Sequence, residues 1–153
     1  YHTMAEEIIG ALGNEIDEFV TGIGTGGCFS GNAEVLKARI PGIRCVAVEP
    51  FNVRPLSGGD TSGTHKLEGI GAGFVPSICR LDLADEIIPV KDEDAFETAR
   101  GLARTEGIFG GTTSGANVWA AIQRARVLGP GKRVVTVICD SGLKYLDGDL
   151  YRA

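Results

Sequence analysis

No stretch of this chain approaches the roughly 18 consecutive apolar residues of a membrane span, and its opening residues lack the charged-then-apolar pattern of a secretory signal. A cytoplasmic location is therefore expected, with no membrane partner. Basic residues are in deficit, 15 Lys and Arg against 20 Asp and Glu, for a formal charge of -5. A phosphate backbone is met by a basic face, so no nucleic-acid partner is expected. The four cysteines, Cys28, Cys45, Cys79 and Cys139, are widely spaced and contain no CxxC pair. That spacing suggests neither a zinc site nor a disulfide scaffold; three of the four lie in or beside apolar runs and are expected as buried, reduced thiols. The two histidines, His2 and His65, have no metal-spaced partner and read as a terminal residue and a loop residue, so no metal is expected.

Glycine, by contrast, is abundant: 23 of 153 residues, gathered in turns between apolar segments instead of in a repeat. With 43% hydrophobic and 23% charged residues the composition is that of an ordinary globular domain, one unit long enough to bury a core. The chain is organised around Thr21 to Asn32 (TGIGTGGCFSGN), where an apolar strand runs into a glycine-rich turn and then a helix. Gly22, Gly24, Gly26 and Gly27 let the backbone approach an anion with no Cβ in the way, so several N–H groups can point at one phosphate. The following helix, with Phe29, Ala33, Leu36 and Ile40 on one face, adds the positive end of its dipole.

In chain order, Thr3 and Glu6 form a T-x-x-E capping box before a short amphipathic helix through Ile8, Ile9, Ala11 and Leu12, with Gly13 as its stop. Strands are expected over 17–22 and 43–48, and with the helix between them they make a right-handed βαβ unit and hence a parallel sheet. Residues 50–80, rich in Gly, Ser and Thr, read as a functional loop or lid. A short strand follows over 86–90, its Pro89 placing it near an edge or end. Asp92 then caps a helix with Ala95, Phe96, Ala99, Leu102 and Ala103 inward, ended by Gly107. A second small-residue turn, Gly110 to Asn117, opens a helix through Trp119, Ile122, Ala125 and Leu128 that stops at Gly129-Pro130, with Trp119 in the core. Residues 133–139 read as a strand buried on both faces, delivering Asp140, Ser141 and Gly142 to a strand's C-terminal end, with Asp140 capping the turn there. Two turns and one strand end are thus expected to converge on one crevice.

Residues 22–27 satisfy G-x-G-x-x-G between a strand and a helix, and Glu49 closes the next strand, as a dinucleotide site requires. Against that, Pro50 follows at once and no regular αβ repeat comes after it. Spacing alone leaves a dinucleotide and a smaller phosphate ligand equally open.

FVTGIGTGGCFSG, VAVEP, HKLEGIGAGFVP, EGIFGGTTSGAN and VVTVICDSGLKYL, in this order, resemble the C-terminal half of the cysteine synthase (O-acetylserine sulfhydrylase) family of fold type II pyridoxal-phosphate enzymes, and Tyr1 to Ile8 is similar to the segment before that family's phosphate strand. The resemblance implies a Rossmann-like three-layer α/β domain with a mostly parallel sheet, the large-domain portion of the tryptophan synthase β-like fold. It implies pyridoxal 5'-phosphate as cofactor, its phosphate held by Gly24, Thr25, Gly26, Gly27 and Cys28, and its pyridine nitrogen hydrogen-bonded by Thr113. Position 28 departs from the family's usual Thr, and Gly69 to Gly73 would border the substrate mouth. The family's Schiff-base lysine lies in an N-terminal half that these 153 residues do not match, and the five lysines here, Lys37, Lys66, Lys91, Lys132 and Lys144, read as solvated charges, so no catalytic residue is assigned. The implied reaction is β-replacement on O-acetylserine or a similar activated serine by sulfide, giving L-cysteine. Cystathionine β-synthase, serine/threonine dehydratase and a non-catalytic phosphate-ligand module are the alternatives, and NAD-dependent dehydrogenase is the weakest. The chain alone is expected to be inactive, its partners being a small amino-acid substrate, the missing N-terminal half and a second copy in a homodimer.

Overall fold

The computed structural model describes residues 2–152; Tyr1, Ala153 and the His2 side chain lie outside the described residues. Four strands, β1 (Glu18–Gly22), β2 (Arg44–Pro50), β3 (Glu86–Val90) and β4 (Val134–Thr136), form one parallel sheet in the order β3-β2-β1-β4. Strand side chains alternate between faces, and the sequence uses both. Phe19, Cys45 and Ala47 face α1 (His2–Leu12) and α2 (Gly27–Arg39), where Phe29, Ala33, Leu36 and Ile40 are all buried as the helical spacing requires. Val20, Val46 and Val48 face α3 (Asp92–Thr105) and α4 (Thr112–Leu128). The result is the expected three-layer α/β arrangement. From β1 the chain winds outward through β2 to β3 and then returns across the sheet to β4. The order therefore reverses between β1 and β4, where open α/β sheets bind ligands.

Small residues let α3 and α4 approach closely: a Cβ on Gly115 would stand 2.1 Å from the carbonyl oxygen of Ala95. Gly13, Gly107 and Gly129 take positive φ just beyond their helices, the conformation that glycine tolerates best. Residues 51–85 contain no strand or α-helix, only a 3₁₀ turn at Leu81–Leu83, yet Val53, Leu56, Leu67 and Ile70 bury themselves and tie the loop down.

Several expectations are corrected. α1 already includes His2, so Thr3 lies inside it and is not its N-cap, while Glu6 pairs with Arg39 at 2.9 Å. Ala5 is its buried residue and Ile8 and Ile9 pack against the core as expected, but Ala11 and Leu12 are exposed. Lys91, not Asp92, is the N-cap of α3; Asp92 instead accepts from the Lys66 amide at 2.8 Å. The inward face of α4 runs through Asn117, Ala120, Ala121 and Arg124, because Arg124 is drawn in by a carboxylate on β1; Ile122 is 41% exposed and Trp119 only partly buried. β4 is a three-residue edge strand with partly exposed side chains instead of a strand buried on both faces. Pro89 does sit on an edge, in β3. All four cysteines are free, but only Cys45 is buried; Cys139 is exposed.

Candidate functional site

Beyond the last β1 and β4 partners, Val20 and Thr136, the strand ends separate and a crevice of about 370 Å³ opens between them. Five of the six residues marked as cofactor contacts, Gly24, Thr25, Gly26, Cys28 and Thr113, line it; Gly27 starts α2 between two of them. Gly26, at φ +91°, caps α2 with no side chain, and the first helical bond runs from Ser30 N to Gly26 O at 2.9 Å. The amides of Gly27, Cys28 and Phe29 therefore precede any intrahelical acceptor, at the positive end of the helix.

The turn is also sterically committed to glycine. A Cβ at Gly24 would lie 2.1 Å from Gly69 O, and one at Gly26 2.7 Å from the Cβ of Cys79. Cys28 sits in the first turn with its sulfur near Thr21 and Asn32; burial pushes the thiol up, and hydrogen bonds from those two side chains only partly oppose this. Its carbonyl is held by Asn32 Nδ2 at 2.7 Å.

The second turn is organised by Asp140, which caps α4 from outside the helix. Its carboxylate accepts from Thr113 N at 3.1 Å, Ser114 N at 2.8 Å, Ser114 Oγ at 2.5 Å and Tyr145 OH at 2.8 Å. Asp140 thus caps the helix opposite it, not the turn of its own strand. Ser114 is consumed by this network, whereas Thr113 turns its hydroxyl toward the crevice and donates to the carbonyl of Glu68. Glu68 in turn pairs with Lys144 at 2.7 Å. Both line the crevice, and Lys144, 63% exposed, is a solvated charge at its rim. The Cys139 thiol, also on the crevice, is pushed up to about 11 by desolvation and the neighbouring Asp140.

Of the segment 69–73, Gly69 and Ile70 line the crevice and Gly71 and Gly73 do not. Sequence reasoning missed Glu68, Asn117 and Tyr145 as lining residues. Asn117 had a visible signal, an amide among small residues at the opening of a helix. Glu68 and Tyr145 arrive through the loop path and carry none. The acidic residue that suits a dinucleotide is spent on the fold: Glu49 is fully buried and accepts from Leu56 N at 2.9 Å and Ser57 Oγ at 2.5 Å. That removes the ribose contact on which the dinucleotide reading depends.

The crevice can thus hold a phosphate on open amides at one wall and a flat polar ring beside a hydroxyl at the other. Comparison with known proteins agrees with that chemistry. The family model described as pyridoxal-phosphate dependent enzyme matches residues 1–140. The cysteine synthase of Staphylococcus aureus is 48% identical over 139 residues, 91% of this chain and 44% of the relative. Cysteine synthase B of Campylobacter jejuni is 46% identical over 147 residues, 96% of this chain and 48% of the relative. The crystal structure of cysteine synthase from Entamoeba histolytica superposes with a TM-score of 0.93 at 40% identity, covering 98% of this chain and 44% of that one. The O-acetylserine dependent cystathionine beta-synthase of Helicobacter pylori does so at 0.92 and 39%, covering 99% and 49%. The chain thus spans just under half the length of the relatives it matches. The glycine-rich turn, the second turn and these matches over nearly the whole chain lead to one conclusion: it belongs to the family of pyridoxal-phosphate dependent enzymes.

Proposed function

We propose that this chain is the cofactor-holding C-terminal portion of a cysteine synthase-like enzyme. The carrying observation is that open amides at the start of α2 and the Thr113 hydroxyl face one crevice at the point where strand order reverses. The residues fit pyridoxal phosphate: the turn admits only glycine at Gly24 and Gly26, and the crevice volume of about 370 Å³ lies in the range of small-ligand pockets. In this reading the amides of Gly24, Thr25, Gly26, Gly27 and Cys28 hold the phosphate. Cys28 contributes its amide but no hydroxyl. Thr113 releases the Glu68 carbonyl and donates to the ring nitrogen instead. When bound, the cofactor supplies an electron sink for chemistry at the substrate's α- and β-carbons, and a neutral hydroxyl partner keeps that sink weak enough to favour β-replacement over transamination.

The reaction proposed for the whole protein replaces the acetoxy group of O-acetylserine, or a similar activated serine, with sulfide to give L-cysteine. A lysine outside these residues takes the α-proton. The choice between sulfide and a larger thiol rests on residues that this chain does not contain, so the Helicobacter pylori neighbour keeps the cystathionine-forming variant as the second reading. Exposed apolar side chains on α4 and beyond β4, Ile122, Val127 and Ile138, support association with a second copy or with the rest of the enzyme, and a cytoplasmic setting goes with this proposal.

The test pairs binding with activity. Pyridoxal phosphate titrated into the chain is expected to shift its phosphorus resonance and to be displaced by inorganic phosphate. O-acetylserine and sulfide are expected to yield no cysteine with the chain alone, and cysteine once a lysine-bearing N-terminal half is added. Cysteine made by the chain alone would overturn the division of labour. Uptake of NAD with no uptake of pyridoxal phosphate would overturn the cofactor assignment.

A further inference from the structure

Alternate residues of a strand donate to the same neighbour in a parallel ladder. Glu18 N donates to Arg133 O at 3.2 Å, so Gly22 N points to the same side and Val137 O is the acceptor that the ladder would next but one present to it. That rung is not closed directly. The side-chain amide of Asn117, 1% exposed, stands in the gap: its Oδ1 accepts from Gly22 N at 2.8 Å and its Nδ2 donates to Val137 O at 2.9 Å. Just before the gap the strands still pair directly at Val20 and Thr136, where Thr136 Oγ1 also donates to Val20 O at 2.8 Å.

A carboxamide carries a donor and an acceptor in the same relation as a peptide group, so it can replace a backbone rung while holding two strands farther apart than the usual spacing of about 4.8 Å. Gly22 is where β1 ends and the phosphate turn begins. Its position is also confined by side chains, since a Cβ there would stand 2.8 Å from Ile70 Cγ2 and 3.2 Å from the same Asn117 Oδ1. We propose that Asn117 is the positioning residue of the phosphate turn: its amide, inserted as a rung between Gly22 and Val137, splays β1 from β4 and aims the turn's amides into the crevice. The inference rests on the cofactor reading above, but concerns this residue's own geometry.

The test uses the full chain as wild type, N117A and N117D, with pyridoxal phosphate, inorganic phosphate and the phosphate-free pyridoxal as probes. N117A is expected to weaken pyridoxal phosphate and inorganic phosphate alike by about tenfold, the scale of one or two net hydrogen bonds, and to leave pyridoxal unchanged. N117D keeps the shape and the acceptor for Gly22 but sets an oxygen against Val137 O and a negative charge near the phosphate, so it is expected to weaken both phosphate probes at least as much. Unchanged phosphate affinity in N117A, or equal weakening of all three probes, would overturn the proposal. If N117A does not fold, N117D decides alone, and wild-type affinity there overturns it. A wild-type chain that takes up neither phosphate probe overturns the cofactor reading itself and this inference with it, a result told apart by the wild-type arm.

Discussion

The two ends of the sheet use polar residues in opposite ways. At the N-terminal ends of the strands, Glu18 is fully buried and bonded twice by Arg124, at 2.8 and 2.7 Å. Arg44 approaches the same carboxylate at 3.3 Å, and Arg124 reaches on to Glu86 at 2.8 Å. Asp17 alongside binds Lys132 Nζ and the Arg133 amide, each at 2.8 Å. At the C-terminal ends charge also surrounds the crevice, with Asp140 capping α4 and Glu68 paired with Lys144, but the contacts that close on β1 and the second turn are neutral: Asn117 across the gap and Thr113 on Glu68 O. Opposite charges satisfy one another and leave nothing for a ligand. Open amides hold the chain less tightly but keep their donors free. The same topology is thus locked at one end and receptive at the other.

Breaking the locked end should produce the largest loss of stability. Arg124→Ala leaves the buried Glu18 carboxylate with Arg44 alone at 3.3 Å, and removal of one partner of a buried pair costs about 3–5 kcal/mol. Urea denaturation is expected to show that loss, while phosphate affinity per folded molecule stays within twofold. A matched apolar replacement of Glu18 and Arg124 together is expected to recover most of the stability. If the single variant unfolds at the wild-type midpoint, the ion cluster is not what holds this end. At the receptive end, Gly24→Ala drives a methyl into Gly69 O, and overpacking of this kind costs about 1–3 kcal/mol. Here the ordering of effects is reversed: the loss of phosphate uptake, expected to exceed tenfold, should outweigh the shift in midpoint.

What was legible in the sequence follows the same division. The parallel sheet, the helix after the glycine-rich turn, the edge position of Pro89 and the convergence of two turns could be read because apolar period and glycine placement are local signals. The inward face of α4 could not. Ile122 and Ala125 keep helical spacing with Trp119, but Arg124 is pulled inward by Glu18, 106 positions away, and rotates the face. Asp140 as the cap of α4 and Glu49 as an anchor for Leu56 and Ser57 are likewise long-range or loop contacts that no pattern encodes. β4 is shorter than its apolar run suggests, because such a run looks the same at an edge as at the centre of a sheet.

A milder variant sharpens the receptive end. Cys28 sits in the first turn of α2 with a thiol that burial pushes up, so it neither ionises nor donates strongly. Cys28→Thr restores a hydroxyl there. One charge-assisted hydrogen bond to a phosphate is worth about 1.5–3 kcal/mol at best, and fitting a branched side chain into the turn offsets part of it. Tightening of inorganic phosphate by about threefold to tenfold is expected in a titration, with little change in the denaturation midpoint. Weaker binding would show that the thiol is packed too closely for a hydroxyl to reach the anion.

The smallest effect returns to the locked end and is read through pH. The hydrogen bond from Lys132, followed by that from the Arg133 amide, holds the Asp17 carboxyl below its ordinary value of 3.8. A carboxyl depressed in the folded state binds its proton more readily when unfolded, so its contribution is complete above the ordinary value and disappears as pH falls through the folded one. Asp17→Asn lacks that titration. Melting temperatures of the two proteins, compared from pH 6 down to pH 3, are expected to differ by a constant gap near pH 6. The gap should narrow only below about pH 4, as the wild-type carboxyl takes up its proton. A gap that stays constant to pH 3 would mean that Asp17 acts at this end by shape alone, and that the contrast between the locked and receptive ends rests on the buried Glu18 cluster.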